Sequence, residues 1–315
     1  MKKCRVRKVD TISKNRQYIC PFCSCDTKCS SRLTRKRRQQ NNRLAEASGF
    51  FDFIPSVLAR HNLNATTRDY GHWMEDLAKY RPYASLTNIF LFGSHDAGTY
   101  GISRASTIAP DADSSVVSLL DNLGWVGAHR IIRNWAKTQN LHVEQQLLHG
   151  SRYFDLRLAI DSRDGQIYTM HTLWAAPLGE ILGSIATFMR RHTQEVIILD
   201  CQDIRGDIED VLHNFVNLLK TYDLYQLLAQ PRLNANIMTP LSILIEAKQQ
   251  IFVILPEQYT RHMILQTYNR SDVLRSKWFN RSHVDELSKL LYDDLVSLND
   301  LNSKLIIAQG VLTPG

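Results

Sequence analysis

From Ser85 onward, short apolar runs alternate with longer segments whose apolar residues recur at helical spacing. The strand-like runs are Ile89–Phe92, Tyr153–Leu158, Ile167–Met170, Val196–Leu199, Ile251–Leu255 and Leu305–Ala308, with a weaker one near Val273–Phe279. The helix-like segments include Trp135–Leu148, Leu178–Arg191 and Ile208–Leu219. This alternation predicts a parallel sheet with helices packed outside it. An open doubly wound sheet and a closed barrel would both satisfy the pattern.

Several of these runs end in residues that can carry chemistry. In chain order they are His95, Asp155, Arg157, His171, Asp200 and Gln202. Because the active sites of barrels lie at the carboxyl ends of their strands, this clustering favours a barrel over an open sheet. Residues two apart in a strand face the same side, so Asp155 and Arg157 are expected to share one mouth, as are Asp200 and Gln202.

The residue types predict cleavage of a phosphodiester. Two histidines can act as base and acid near neutral pH, and an arginine can bind phosphate oxygens and offset developing charge. Carboxylates can orient the imidazoles. Each residue alone has a structural alternative, since a histidine after a strand is commonly a hydrogen-bonded loop residue and Asp155 with Arg157 could form a structural ion pair. The combination is what indicates catalysis.

The positive charge of the chain is confined to its first part. The 315 residues carry a net charge of +7, but residues 1–43 hold fourteen Lys and Arg against two Asp. That segment therefore carries +12 and the remaining residues carry −5. We expect a disordered basic extension at 1–48, a helical lead-in at 49–84 and the folded domain at 85–315. Nucleic-acid binding is not expected of the folded domain and stays a minor alternative for the basic start.

The cysteines and the hydropathy bear on location. Only Cys201 lies in the folded domain, which is typical of a reducing cytoplasm. No run approaches the roughly 20 apolar residues of a membrane-spanning helix, so membrane contact is expected to be peripheral and transient.

The cluster of Cys20, Cys23, Cys25 and Cys29 resembles half of a zinc ribbon, but one residue between the middle pair strains closure around an ion. We expect reduced cysteines without zinc there, and solvated charges at Arg35–Arg38.

Several segments together resemble the X domain of phosphatidylinositol-specific phospholipase C. They are Gly93-Ser-His95-Asp96-Ala-Gly98, Trp135-Ala-Lys-Thr-Gln139, Gln146-Leu147, Gly150-Ser-Arg-Tyr-Phe-Asp155-Leu-Arg157, His171, Glu195-Val-Ile-Ile-Leu-Asp200 and Gln309-Gly-Val-Leu-Thr-Pro314. The resemblance covers about residues 85–315 and is closest to X-domain-containing proteins that lack the other modules. It implies an α/β fold of the distorted TIM-type barrel kind. It also implies a phosphoric diester hydrolase of lipid metabolism, acting on a phospholipid head group at a membrane surface.

The resemblance implies a role for each matched residue. His95 would be the general base acting on the inositol 2-hydroxyl, which attacks the phosphorus of its own head group. This gives a cyclic inositol phosphate and releases diacylglycerol. His171 would be the general acid, oriented by Asp96, and Arg157 would bind the phosphate with Asp155 beside it.

The remaining matched residues concern recognition of the head group and the binding of a metal ion. Asp200 and Gln202 are candidates for contacting the inositol hydroxyls. The calcium-dependent eukaryotic members build an acidic cation site near Arg157, whereas the bacterial type places an arginine there. A guanidinium beside Asp155 would compete with a divalent cation, so we expect no metal, with calcium as the alternative.

One departure from the family concerns its final strand, which supplies an Asp that orients the general base. That strand would follow Thr313-Pro314, where the sequence ends. We therefore expect a barrel without its last strand and a less well oriented His95. The alternative to a hydrolase is a catalytically weak or inactive X domain that binds lipid head groups or a protein.

Overall fold

The computed structural model describes residues 70–262, 267–298 and 304–312. The predicted basic extension, its cysteines and the lead-in before Tyr70 lie outside the described residues. The helices are α1 Trp73–Tyr80, α2 Ser114–Ala136, α3 Val143–Leu148, α4 Leu178–Arg191, α5 Ile208–Thr221, α6 Leu241–Glu246, α7 Glu257–Thr260, α8 Arg270–Val273 and α9 Val284–Val296. The strands are β1 Phe92–Ser94, β2 Ser151–Ile160, β3 Ile167–His171, β4 Leu173–Pro177, β5 Ile197–Arg205, β6 Ile251–Leu255, β7 Tyr268–Asn269, β8 Leu274–Lys277 and β9 Leu305–Ala308.

Helices with one apolar face cover the sheet. The buried residues of α4 recur at the three- and four-residue spacing of one helix face, and they are Leu178, Ile181, Leu182, Ile185, Ala186, Phe188 and Met189. Glu180 in the first turn, and Arg190 and Arg191 in the last, have the charges that the helix dipole favours. The helices predicted at Leu178–Arg191 and Ile208–Leu219 are confirmed, the second extending to Thr221.

The strands form a seven-stranded sheet in the order β4-β3-β2-β5-β6-β7, in which β1 also pairs with β2. The strands β8 and β9 pair in parallel in a separate two-stranded sheet. Strands β2, β5, β6 and β7 run parallel. Every residue of β6 is buried, as expected for an interior strand that is covered on both faces.

Alternate residues of the central strands enter two apolar cores. One core joins the apolar faces of α4 and α5 to Ile197, Leu199, Val253 and Leu255. The other core, on the opposite face, includes Tyr153, Ile198, Phe252, Ile254 and Tyr268. The continuous apolar runs that predicted these strands are therefore the result of burial on both sides.

The prediction of a wholly parallel sheet is wrong at β3 and β4. Strand β3 pairs antiparallel with β2, and β4 pairs antiparallel with β3. Only residues 161–166 separate β2 from β3, and Thr172 alone separates β3 from β4. Connections this short cannot contain the crossover helix that parallel neighbours require, so the chain must reverse.

The first strand begins later than predicted, at Phe92 rather than Ile89. The reason is a 3₁₀ turn at Leu86–Asn88, in which the side chains of Ser85 and Asn88 cap each other's backbone. Ile89 then leaves this turn as its C-cap and packs against the core instead of joining the sheet. Strand formation is delayed until the chain reaches the edge of β2.

The single helix predicted over Trp135–Leu148 is in fact two helices. Helix α2 ends at Ala136 and α3 begins at Val143. Between them, the backbone N–H groups of Thr138 and Gln139 donate to Oγ1 of Thr99, at 3.1 and 3.0 Å, and these tertiary hydrogen bonds replace helical ones. Even α2, at 23 residues, does not combine the length and apolarity needed to cross a bilayer, and neither does any other helix in the described part of the chain.

A buried arginine fastens the start of the described chain to the sheet. Nη2 of Arg152 in β2 lies 2.7 Å from Oε2 of Glu195, and its Nε donates to the same oxygen at 2.8 Å. Nη2 also donates to the carbonyl oxygens of Tyr70 and Gly71, at 3.1 and 3.0 Å. Oε1 of Glu195 accepts from the N–H of Met74 at 3.1 Å. One ion pair therefore anchors α1.

Candidate active site

His95 and His171 meet because two strands run toward each other along one edge of β2. Strand β1 pairs in parallel with the first half of β2, with Ser94 opposite Phe154. Strand β3 pairs antiparallel with the second half, starting opposite Ile160. His95 directly follows β1 and His171 ends β3. The centroids of their imidazole rings are 6.3 Å apart.

Asp155 and Arg157 lie on the stretch of β2 between these two pairings. Asp155 accepts a hydrogen bond from Nδ1 of His95 at 2.9 Å, and Nε of Arg157 lies 3.2 Å from Oδ1 of Asp96. The N–H of Ala97 donates to the carbonyl oxygen of Asp155 at 3.0 Å, which fixes the loop after β1 to β2 at the same place. The structure thus brings together all five residues that were predicted to be catalytic.

Asp96 is the carboxylate around which the other groups are arranged. Its Oδ2 lies 2.9 Å from Nε2 of His95 and 3.3 Å from Nδ1 of His171. Its backbone is left-handed, with a φ of 45°, and its side chain is 1% exposed. Among the described residues, neither of its oxygens has a partner with hydrogen-bond geometry. Its attraction for the two imidazoles and for Arg157 is therefore mainly electrostatic.

The two carboxylates keep His95 protonated. Burial of the ring opposes its charge, but Asp155 and Asp96 outweigh burial and raise the pKa of His95 to about 9. Burial would also raise the pKa of Asp96, but the charges of His95, His171 and Arg157 hold it below its ordinary value. At neutral pH, His95 is a charged imidazole with both ring nitrogens facing carboxylates.

A short segment at the end of α2 holds both histidines. Nδ1 of His171 donates to the carbonyl oxygen of Ala136 at 2.9 Å, which leaves Nε2 for proton exchange. The carbonyl oxygen of His95 accepts from Oγ1 of Thr138 at 3.2 Å and from Nε2 of Gln139 at 2.9 Å. Residues 136–139 therefore connect the backbone of one histidine to the ring of the other.

The structure does not bring Asp200 to the open part of the site. Its side chain is 0% exposed. It accepts from the hydroxyl of Tyr153 and from Nε of Arg270, which lies 3.0 and 3.1 Å from its two oxygens. Burial raises the pKa of Asp200 to about 6, against the opposing effect of Arg270 and Tyr153. Asp200 is placed to hold Arg270 rather than to contact a sugar.

Gln202 lies at a β-bulge in β5. The register of β5 against β2 slips at this point, so that Asp203 lies opposite Arg157. The two-residue alternation that predicted Gln202 beside Asp200 ends at the bulge, because the extra residue changes which side chains share a face. Sequence periodicity alone gives no sign of this slip.

Three further residues at the site were not identified from the sequence. Trp278 follows β8, and its indole stacks on His95 with ring centroids 6.0 Å apart and planes 22° apart. Arg270 begins α8, and Asp111 lies between β1 and α2 and accepts from the N–H of Thr172. Trp278 could have been noticed as an aromatic residue at the end of the weak strand. Arg270 lies in a helix of one turn and Asp111 in a connection, and neither segment has a periodic pattern.

Three residues of the site lie close enough together for their ligand atoms to be compared with those of a calcium site. Potential ligand atoms of His95, Asp96 and Asp155 lie within 4.8 Å of one another. Calcium prefers about six to eight oxygen ligands, whereas this group supplies two carboxylates and an imidazole. The guanidinium of Arg157 also lies against Asp96.

No family model matches the chain, but the curated proteins to which it is similar agree with one another. It is 30% identical over 260 residues to the variant-surface-glycoprotein phospholipase C of Trypanosoma cruzi, covering 77% of this chain and 66% of that protein. It is 29% identical over 246 residues to human PI-PLC X domain-containing protein 3, covering 77% and 74%. Against the zebrafish (Danio rerio) protein 3 the identity is 34% over 155 residues, or 48% of each chain. The chain therefore spans from about half to three quarters of these relatives.

Solved structures show the same fold. A mutant of the phosphatidylinositol-specific phospholipase C of Staphylococcus aureus superimposes with a TM-score of 0.51 at 17% identity, covering 76% of this chain and 77% of that one. The enzyme of Listeria monocytogenes gives 0.51 and 17%, covering 76% and 78%. The predicted distorted TIM-type barrel is confirmed by this likeness. The chain belongs to the family of phosphatidylinositol-specific phospholipase C X-domain proteins.

Proposed function

We propose that the chain cleaves the phosphodiester bond of an inositol phospholipid by general base and general acid catalysis. The observation that carries the proposal is the 6.3 Å separation of the His95 and His171 rings, with Arg157 joined to both through Asp96. A phosphate bound by Arg157 would have one imidazole near the attacking oxygen and the other near the leaving oxygen.

In this reaction the inositol 2-hydroxyl oxygen bonds to phosphorus while the bond from phosphorus to the glycerol oxygen breaks. Nε2 of His95 takes the hydroxyl proton, and Asp155 keeps the ring oriented through Nδ1. Nε2 of His171 gives a proton to the glycerol oxygen, so that diacylglycerol leaves. Arg157 offsets the charge that grows on the non-bridging oxygens. The other product is a cyclic inositol phosphate.

The base must first release a proton. Nε2 of His95 faces Asp96 at 2.9 Å, and the substrate hydroxyl has to take the place of that carboxylate. Asp96 would then interact with Arg157 and with His171, the proposed general acid. Arg157 supplies the positive charge that a metal ion provides elsewhere, and we infer a reaction without metal.

A second candidate is a head-group-binding domain with little or no activity. The observation in its favour is the protonation of His95, whose pKa of about 9 leaves little neutral base at physiological pH. Such a domain would bind inositol phospholipid through Arg157 and turn it over slowly. The cytoplasmic location and the transient membrane contact expected from the sequence stay predictions for both candidates.

Turnover of phosphatidylinositol vesicles separates these candidates. Phosphorus NMR would follow the appearance of the cyclic inositol phosphate with wild type, His95→Ala and His171→Ala. His213→Ala, on the exposed surface of α5, is the matched control. We expect wild type and the control to form product, and the two site variants to be slower by at least about a hundredfold. Equal rates in all four proteins would exclude the catalytic proposal, and head-group binding without any turnover would support the second candidate.

A further inference from the structure

The connection between β3 and β4 is a single residue in a strained conformation. Thr172 has a φ of 63°, and a left-handed backbone is unfavourable for a β-branched residue. Across this turn, His171 pairs with Leu173. So tight a turn determines the direction in which His171 leaves the strand. Whatever holds Thr172 therefore also positions the imidazole.

The segment that precedes α2 holds both backbone polar groups of Thr172. The two carboxylate oxygens of Asp111 accept from its N–H, at 2.9 and 3.0 Å. The carbonyl oxygen of Thr172 accepts from the N–H of Ala109 at 2.9 Å. The N–H of Trp174 donates to the carbonyl oxygen of Thr107 at 3.0 Å and extends the same pairing. Asp111 supplies the side-chain part of this clamp.

Asp111 also faces the charges of the site. Burial raises the pKa of Asp111, while the charges of His171 and Arg157 act in the opposite direction. Arg205 on β5 interacts with it as well. Asp96 lies 3.3 Å from Nδ1 of His171 and the ring of His95 lies 6.3 Å from its ring, while Asp111 holds the residue that follows His171. On the side of His171, Asp111 is a carboxylate additional to Asp96.

We propose that Asp111 is a positioning residue for the acid step. It holds the turn at Thr172 and hence the orientation of His171, and its charge strengthens that hold because a hydrogen bond to a carboxylate is stronger than one to a neutral oxygen. This inference rests on the proposed role of His171 as general acid. Such an acid matters most when the leaving oxygen is strongly basic, as in a lipid glycerol, and much less when a nitrophenolate leaves. Loss of Asp111 should therefore slow the lipid reaction selectively.

The kinetic test compares Asp111→Asn and Asp111→Ala with wild type on micellar phosphatidylinositol and on the nitrophenyl phosphodiester of inositol. Asparagine keeps an oxygen for the N–H of Thr172, so it isolates the loss of charge. We expect kcat on the lipid to fall about tenfold in Asp111→Asn and about a hundredfold in Asp111→Ala, with KM unchanged and less than about a threefold loss on the nitrophenyl substrate. Asp113→Asn, which can still cap α2, is the matched control and should match wild type. Equal losses on the two substrates, or no loss on the lipid, would overturn the proposal.

A second measurement does not depend on turnover. Nitrogen NMR of histidine-labelled protein reports whether Nδ1 of His171 carries the proton, with His171→Gln used for assignment and circular dichroism to verify folding. At a pH at which His171 is neutral, we expect the Nδ1–H form in wild type and a mixture of tautomers in folded Asp111→Ala. An unchanged His171 signal would overturn the positioning role even in an active protein. A changed signal in a protein that turns over neither substrate would uphold it while the proposed function fails.

Discussion

The imidazole rings of His95 and His171 face each other edge to face, with their planes at 72° and their centroids 6.3 Å apart. They come from strands of opposite direction that share one edge of β2. A wholly parallel sheet would place both histidines at the ends of parallel strands. Here the reversal at β3 brings the second histidine back toward the first. The antiparallel hairpin is therefore part of how the site is built.

The rate of the reaction is expected to rise with pH until His95 loses its proton. The carboxylates of Asp155 and Asp96 raise the pKa of that group to about 9, and only the neutral ring can accept a proton. Asp155→Asn removes one of these charges, so the rise in kcat/KM should shift to lower pH although kcat itself falls. Rates measured between roughly pH 5 and 10 test this shift. An inflection at the same pH in both proteins would contradict the role of His95.

The same ion pairs should make stability depend on pH. The folded pKa of His95, about 9, lies above its ordinary value of 6.5. Its contribution to the free energy of unfolding is therefore complete below about pH 6.5 and is lost as the pH rises through about 9. Urea unfolding of wild type and His95→Gln at several pH values measures it. The difference between the two proteins should shrink on going to high pH, and a constant difference would contradict the assignment.

Removal of Arg152 should destabilise the protein strongly. Arg152→Met leaves the buried carboxylate of Glu195 without its cation, and breaking a buried pair in this way costs about 3–5 kcal/mol. The double variant with Glu195→Gln should recover part of this loss, because no charge is then left buried. Arg163→Met removes an arginine whose side chain is 60% exposed and serves as control, with an expected change below about 1 kcal/mol. Urea unfolding gives all three values.

Arg270→Met is expected to destabilise the protein more at high pH than at low pH. Without the guanidinium, the pKa of Asp200 rises further above its present value of about 6. Above that pH the variant holds an unpaired buried carboxylate, at a cost of about 1–3 kcal/mol that allows for the partial exposure of Arg270. At lower pH the carboxyl is protonated and the difference from wild type should narrow. A difference that widens on acidification would contradict the pairing.

Chelation should leave the activity unchanged. Arg157 lies against Asp96, and in the proposed reaction its guanidinium takes the place of a cation, so treatment with EDTA should not lower turnover, and added calcium or zinc should not raise it. The measurement is turnover of phosphatidylinositol vesicles before and after dialysis. A loss on chelation that calcium restores would show that the acidic group binds metal after all. Arg157→Ala should also be measured with added calcium, because loss of the guanidinium leaves the carboxylates of the site available to bind a cation.

The sequence predicted the parts of the fold that depend on local pattern. The strand Ile251–Leu255 and the helix Leu178–Arg191 have the predicted bounds because burial sets their periodicity directly. Asp155 and Arg157, two residues apart on β2, contact His95 and Asp96 respectively, in line with the spacing that predicted a shared side. These inferences succeeded because they involve single elements whose neighbours do not alter their geometry.

The sequence was insufficient to predict the features of the structure that tertiary contacts determine. The break after Ala136 depends on hydrogen bonds from the backbone N–H groups of Thr138 and Gln139 to the side chain of Thr99, about forty residues earlier in the chain. The bulge at Gln202 depends on register against another strand. Asp200 has the residue type and the strand-end position expected of a residue that contacts the substrate. However, Arg270 and Tyr153 donate hydrogen bonds to it from elements that sequence periodicity does not connect to β5.

The attachment of both histidines to residues 136–139 has a mechanical consequence. If His95 and His171 act as the proposed base and acid, they are not positioned independently, since the end of α2 supports the ring of His171 and the backbone of His95. A partner or a bilayer that pushed on this helix would loosen or tighten the pair in concert. In the proposed reaction, proton uptake by His95 and proton delivery by His171 would then change together.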